Sequence, residues 1–302
     1  MIFLLVLDII TEVPITTYEI IILLWEFSAH LVARILFLVM TSGKQSVSKT
    51  RRRHRMMMKH PSVWGMDDYN CKVDKFLENE LPDDPILGLW GISGVGKTRL
   101  LLHIGACYDD ADSPFRHIIA FKDGAVRDMQ HYLAAFLNMD WNTMSSSQEH
   151  CRANIIAERL KHDSFLLLLD DVQDGDLDLA SIGLPMPLGH NQKVILTSKS
   201  QAVCARMGCN RANTVEMKCL GEEDAWNLFQ YKTGVEITEA NAEIHEFAKL
   251  MVSACGGLPG AICSVGTAVA GVTCCELHPD DWWYAYERFK ANELPGCSGL
   301  VT

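Results

Sequence analysis

One eight-residue motif constrains the fold of this chain more than any other feature. The segment from Gly91 to Thr98, GISGVGKT, matches the phosphate-binding pattern G-x-x-x-x-G-K-[ST]. An apolar run at Ile86–Trp90 precedes it, and a stretch with apolar residues at helical spacing follows it. A strand, a glycine-rich turn and a helix in this order cradle phosphate groups, so the motif predicts a nucleotide-binding α/β protein.

Each part of this loop has a predicted role. Its backbone N–H groups are expected to point at phosphate oxygens, because glycine lets the chain turn back sharply. The lysine is expected to reach the β- and γ-phosphates, and the hydroxyl that follows it is expected to coordinate Mg²⁺. The predicted nucleotide-binding residues of the loop are Gly91, Gly94, Val95, Gly96, Lys97 and Thr98.

A pair of acids follows a second apolar run. The run Phe165–Leu169 ends in Asp170 and Asp171. A carboxylate at the end of a strand beside the phosphate loop lies where Mg²⁺ and water are needed. Asp170 is therefore predicted to bind the metal, directly or through water, and Asp171 is the candidate to orient or deprotonate an attacking water. The alternative, an Asp-Asp turn that only ends a strand, stays open at this point.

Strands and helices alternate through the first part of the chain and predict a parallel sheet. After residue 220 only helical patterns occur, at about 222–232, 239–254, 259–270 and 280–290. The predicted fold is α/β, a P-loop NTPase parallel sheet with flanking helices, followed by a small all-helical module. The expected domains are 1–60, 61–218 and 219–302. The predicted strands are Ile86–Trp90, His117–Phe121, Phe165–Leu169, Val194–Thr197 and Thr214–Met217.

The first 60 residues leave three interpretations open. Residues 20–40 are apolar over roughly the length of a bilayer but include Glu26, His30 and Arg34. One interpretation is a membrane anchor with the basic segment 44–59 on the cytoplasmic side. The second is a helix docked on a protein partner or on the rest of the chain. The third is a start without a structural role.

Charge and cysteine content exclude some classes of protein. The net charge of -11 argues against a protein that binds nucleic acid over its whole surface, so no nucleic-acid partner is expected. The 11 cysteines lack zinc-site spacing. They are expected to be reduced and mostly buried, which favours a cytoplasmic protein, with membrane association only if residues 20–40 form an anchor.

Five further blocks resemble one family. In order and spacing, these blocks are similar to the NB-ARC nucleotide-binding domain of plant NLR disease-resistance proteins, over about residues 61–290. The resemblance implies that ADP holds a closed resting state and that ATP favours an open state, which oligomerises and triggers immune signalling. The blocks are VWGMDDY at 63–69, LLLLDDV at 166–172, KVILTSKSQAVCARMGC at 193–209, LGEEDAWNLF at 220–229 and CGGLPGAI at 255–262.

The resemblance also assigns residues outside the phosphate loop. It implies that Pro259 approaches the adenine and that the segment Val63–Met66 lines the adenine side. Lys199 would sense the terminal phosphate, although the family usually has Arg there, which can bind a phosphate through two N–H groups. Gly260 stands where the family has Leu, and we expect it to lose a packing side chain and to weaken a helix start.

Three functional hypotheses follow from these residues. The first is a truncated NLR-type switch that binds ADP or ATP with Mg²⁺, hydrolyses slowly at most and has NLR-type partners or oligomerises. It would lack the winged-helix module with its Met-His-Asp motif and the leucine-rich repeats. The second is a non-catalytic decoy or adaptor that docks on full-length NLRs. The third is a mechanical or transport ATPase, which would turn over at or above about 1 s⁻¹.

Overall fold

The structure is a computed structural model that describes residues 64–294, apart from 79–83, 110–112, 123, 146, 174–176, 190, 238–240 and 274–276. The apolar segment at 20–40, for which three interpretations were open, the basic segment 44–59 and Val63 therefore lie outside the described residues. Among the residues that are described, no helix combines the length and the apolar character needed to cross a bilayer.

Five parallel strands form the sheet, in the spatial order β2-β3-β4-β1-β5. This arrangement confirms the predicted α/β class. Because all five strands run the same way, the carboxyl ends of β1, β3 and β4 open at one edge of the sheet. The strands are β1 (Ile86–Trp90), β2 (His117–Lys122), β3 (Phe165–Val172), β4 (Gln192–Ser198) and β5 (Thr214–Glu216).

Helices cover both faces of the sheet and then continue alone after β5. Two of them, α4 and α6, were not predicted, because a helix of five or six residues shows too few turns for an apolar period to be seen. The helices are α1 (Asp67–Glu78), α2 (Lys97–Tyr108), α3 (Val126–Phe136), α4 (Trp141–Ser145), α5 (Glu149–Leu160), α6 (Gln201–Arg206), α7 (Glu222–Thr233), α8 (Ala242–Ala254), α9 (Pro259–Thr273) and α10 (Pro279–Lys290).

Strand β3 shows why the central strands are apolar throughout. Phe165, Leu167 and Leu169 pack into a core with α3 and α5 on one face of the sheet. Leu166 and Leu168 alternate with them and pack against α1 and α2 on the other face. A strand that is covered on both sides has no solvent face, so alternation of polar and apolar residues disappears. A third core joins α7 to α10 around the fully buried Trp282.

A charge cluster centred on Asp163 joins elements at the sheet edge opposite the phosphate loop. Its carboxylate accepts hydrogen bonds from Arg116 Nη1 at 2.6 Å and Arg159 Nη1 at 2.9 Å, and His117 Nε2 lies 3.1 Å from it. Burial alone would raise the pKa of Asp163. The hydrogen bond with His117 and the positive charges around it outweigh burial, so the pKa is lowered.

We expect Asp163→Asn to lower the free energy of unfolding by about 1.5–3 kcal/mol at pH 7, because hydrogen bonds to a charged group are lost. A carboxyl whose pKa is lowered on folding stabilises the protein above its unfolded pKa, near 3.9, and this contribution is lost as the pH falls further. The difference in the free energy of unfolding between wild type and Asp163→Asn should therefore shrink below about pH 4. Urea denaturation at a series of pH values measures it.

A matched control lies nearby, on α5. Glu158 forms an exposed ion pair with Lys161, so Glu158→Gln should change the free energy of unfolding by less than about 0.5 kcal/mol. Equal stability of Asp163→Asn and wild type at pH 7 would contradict the role given to the Asp163 cluster.

Candidate functional site

The phosphate loop is shaped by glycines that other residues could not replace without strain. Gly94 and Gly96 have φ angles of 80° and 108°, in the left-handed region that glycine adopts at low cost. A Cβ on Gly96 would also lie 2.6 Å from Cε of Met66. Helix α2 begins directly after Gly96, so its N-terminal end, where unpaired N–H groups favour anions, faces the loop.

Lys97 lies over the loop with its ammonium group held by carbonyl oxygens. Its Nζ donates to the carbonyl oxygens of Gly91 at 2.7 Å and Ile92 at 2.9 Å. An ammonium group has three N–H bonds, so a third remains to bind an anion. Burial lowers the pKa of Lys97, the charges of Asp171 and Asp170 oppose this shift, and Lys199 adds to it. A bound anion would favour the charged form of Lys97 again.

Asp170 connects three elements at the carboxyl edge of the sheet. Thr98 Oγ1, at the start of α2, donates to this carboxylate at distances of 3.0 and 2.9 Å from its two oxygens. Thr197 Oγ1, near the end of β4, donates to Asp170 Oδ1 at 2.6 Å. The structure therefore brings together Thr98 and Asp170, the two residues for which the sequence predicted a role at a metal. Carboxylate and hydroxyl oxygens are the ligand types that Mg²⁺ prefers, so these two residues fit a magnesium ion.

Asp171 has an unusual backbone conformation for a residue in a strand. Its φ angle is 58°, and the pairing of β3 with β4 shifts register between Leu169 and Val172. The N–H of Asp171 donates to Thr197 Oγ1 at 2.8 Å, which holds this conformation in place. Its carboxylate lies 3.5 Å from Nζ of Lys122, on β2. Strained backbone of this kind is typical of functional sites. The carboxylate of Asp171 itself forms an ion pair with Lys122.

Eight of the residues predicted for the site line one cleft of about 390 Å³, between the phosphate loop and the helices α7 and α9. This volume falls in the range of small-ligand sites. Two predicted residues that the structure describes do not line the cleft: the side chain of Val95 is buried in the core, and Gly91 is buried as well. The predicted residues that line the cleft are Gly94, Gly96, Lys97, Thr98, Asp170, Asp171, Lys199 and Pro259.

Several residues of the cleft were not identified from the sequence. Five of the lining residues are cationic and two are acidic, although the whole chain is acidic, so the cleft favours an anion. Thr197, which orients Asp170, could have been found as a polar residue near the end of an apolar strand. Trp64 and Met66 line the cleft and belong to the segment that the resemblance assigns to the adenine side; the lining residues outside the predicted set are Ser93, Arg99, Lys122, Leu220, Leu228, Lys232, Gly260 and Cys263.

The start of α9 is bound directly to the phosphate loop. The N–H of Gly260 donates to the carbonyl oxygen of Gly94 at 2.8 Å. A Cβ on Gly260 would lie only 3.1 Å from Cα of Gly94, so a larger residue would crowd the loop. The expectation that Gly260 loses a packing side chain and weakens a helix start is therefore incomplete, because its small size lets the first turn of α9 contact the loop. Pro259 reaches the cleft in this way.

Comparisons with known proteins agree with this geometry. The family described as the NB-ARC domain matches residues 66–238. Disease resistance protein RPS5 of Arabidopsis thaliana is 33% identical over 222 residues, which are 72% of this chain and 24% of the relative. A probable disease resistance protein of the same plant is 32% identical over 214 residues, 69% of this chain and 29% of that protein. The chain thus spans about a quarter of the length of the curated relatives it matches.

A solved structure supports the fold alone. The crystal structure of Cdc6p from Pyrobaculum aerophilum superposes with a TM-score of 0.54 at 13% sequence identity. The match covers 72% of this chain and 65% of that chain.

We expect Thr197→Val to lower the free energy of unfolding by about 1–3 kcal/mol, because the N–H of Asp171 and the carboxylate of Asp170 both lose a buried partner. Chemical denaturation measures the loss. The control is Thr143→Val, which removes an exposed hydroxyl that donates to the carbonyl oxygen of Asp140, and which should change stability by less than about 0.5 kcal/mol. Similar losses in both variants would argue against a special role of Thr197.

Proposed function

The chain belongs to the NB-ARC family, and from this membership and the geometry of the cleft we propose that it is a nucleotide-dependent switch of the plant disease-resistance type. It binds ADP or ATP, with Mg²⁺, in the cleft above the phosphate loop. The observation that carries the proposal is the convergence of Lys97 and Thr98, from the start of α2, with Asp170, from β3, on one cationic cleft that α9 closes with Pro259. The relatives described above are disease resistance proteins.

The lining residues divide the cleft into a phosphate side and a base side. Lys97 and the N-terminal end of α2 would bind the phosphates, while Thr98 and Asp170 would hold Mg²⁺, which neutralises phosphate charge. Trp64 and Met66 lie beside the cleft with Pro259, and their apolar surfaces suit an adenine ring. Tyr231 supports Trp64, with the ring centroids 4.9 Å apart.

A switch requires that ADP and ATP favour different conformations. A ligand shifts an equilibrium only through a difference in its affinity for the two states. In this cleft the terminal phosphate of ATP would lie near Lys199, which follows β4, while Pro259 and Gly260 belong to α9. A nucleotide would therefore contact the sheet and the helical part together, and the extra phosphate could change how α9 sits on the loop.

Location and partners complete the proposal. We place the protein in the cytoplasm, where its thiols would stay reduced. The eight cysteines within the described residues are free thiols, and three of them are buried, fewer than the sequence led us to expect. Its partners would be NLR-type proteins or further copies of this chain, and its defence role would depend on them.

Lys97→Ala should weaken ADP binding by about 10-fold to 100-fold, because one or more charged hydrogen bonds, each of about 1.5–3 kcal/mol, are lost. Isothermal titration calorimetry with the full chain and MgADP measures the affinity, and circular dichroism confirms that the variant is folded.

The matched control for this variant is Lys249→Ala, which removes an exposed lysine on α8 outside the cleft and should leave ADP affinity unchanged. No ADP binding by the parent chain, or equal binding by Lys97→Ala, would refute the proposal.

Lys199→Arg should increase the affinity for ATP relative to ADP by about fivefold, because a guanidinium can donate two parallel hydrogen bonds to a terminal phosphate, a gain of roughly 1 kcal/mol. The paired variant Lys199→Gln removes the charge and should lower the same ratio. Dissociation constants for both nucleotides provide the test. If both variants keep the wild-type ratio, Lys199 does not sense the terminal phosphate.

A further inference from the structure

Two buried cysteines lie side by side behind the phosphate-loop strand. Cys204 lies in α6 and is fully buried, and Cys209, three residues beyond the end of α6, is 6% exposed. Both are free thiols, and their side chains share a hydrogen bond. The N–H of Cys209 also donates to the carbonyl oxygen of Cys204 at 3.0 Å. The two residues are therefore fixed to each other through backbone and side chain.

Two glycines make this arrangement possible. Gly208 has a φ angle of 89°, and this left-handed turn brings the chain back so that Cys209 returns to the end of α6. Gly88, in β1, leaves the space that the sulfur atoms fill: a Cβ there would lie 2.9 Å from Sγ of both cysteines. Both sulfur atoms thus occupy one small pocket above β1.

We propose that Cys204 and Cys209 form an oxidisable dithiol, which a peroxide such as hydrogen peroxide converts to a disulfide. The thiolate of Cys204 attacks a peroxide oxygen and becomes a sulfenic acid, with release of hydroxide. The sulfur of Cys209 then displaces the sulfenic oxygen, which leaves as water after it takes up the thiol proton. In sum, two thiols lose two electrons and two protons, and one peroxide is reduced to two waters.

The hydrogen bond between the two thiols determines which cysteine reacts first. The hydrogen bond from Cys209 lowers the pKa of Cys204, despite the opposing effect of burial, and the same hydrogen bond raises the pKa of Cys209. Since the thiolate is the nucleophile, Cys204 reacts first. Both thiols are buried, so the reaction requires a brief opening of the short helix α6, through which the small, uncharged peroxide can enter.

The disulfide would join the end of α6 to the segment that leads into β5. Helix α6 begins two residues after Lys199, and the bond would lie directly on β1, the strand that precedes the phosphate loop. The proposal stands independently of nucleotide binding, because it rests on the geometry of the thiols alone.

Trypsin provides a direct test, because it cleaves after Lys199, Arg206 and Arg211 and so separates the two cysteines. The full chain is treated with hydrogen peroxide, unfolded in N-ethylmaleimide to block free thiols, digested without reductant and analysed by mass spectrometry. A Cys204–Cys209 disulfide yields peptides 200–206 and 207–211 as one species, lighter by two hydrogens than their sum. We expect this species to become the major form of both cysteines and to disappear on reduction before blocking.

The variants Cys204→Ser and Cys209→Ser should each abolish the linked peptides, and the wild-type result is decisive even if a variant fails to fold. The exposed Cys219 serves as an internal measure of peroxide dose. Recovery of both peptides singly blocked, at a dose that oxidises Cys219, would overturn the proposal. So would a disulfide from Cys204 to any cysteine other than Cys209.

Discussion

The carboxylate of Asp170 is the group on which the geometry of the cleft depends. It lies near the end of β3 and accepts hydrogen bonds from Thr98, at the start of α2, and Thr197, near the end of β4. Hydrogen bonds to a charged acceptor are stronger than neutral ones, so a single side chain ties two strands to the phosphate-loop helix. Because Thr197 is fully buried, the position of Asp170 is set by the register of the sheet rather than by mobile surface groups.

The charge of the cleft determines which kind of ligand it can bind. The cleft gathers cations from α2, β2, α7 and the segment after β4, and these like charges favour an anionic occupant. Lys97 shows most clearly that the cleft favours an anion: burial lowers the pKa of Lys97, and only the neighbouring acids oppose this shift. A polyphosphate would offset the excess of positive charge in the cleft, whereas an apolar ligand would leave that excess uncompensated.

Lys199 and Gly260, the two residues that depart from the family pattern, have different physical consequences. Lys199 keeps the positive charge at the end of β4 but gives up the two-pronged donor geometry of arginine. Gly260 changes the backbone contact, since its N–H binds the carbonyl oxygen of Gly94 and a Cβ would crowd that residue. In this chain α9 therefore lies directly against the phosphate loop, which places Pro259 at the cleft.

The sequence by itself determined the local elements. The five strands, the longer helices, the phosphate loop and Asp170 are each encoded within a short stretch, because apolar period and glycine spacing act between near neighbours. Helices α4 and α6 were too short to show a period. The tertiary structure alone decided that Thr197 orients Asp170, that Lys122 pairs with Asp171, that Val95 is buried in the core and that Cys209 meets Cys204 over Gly88. Those contacts depend on strand order and on the packing of distant segments, and no local pattern records which strands become neighbours.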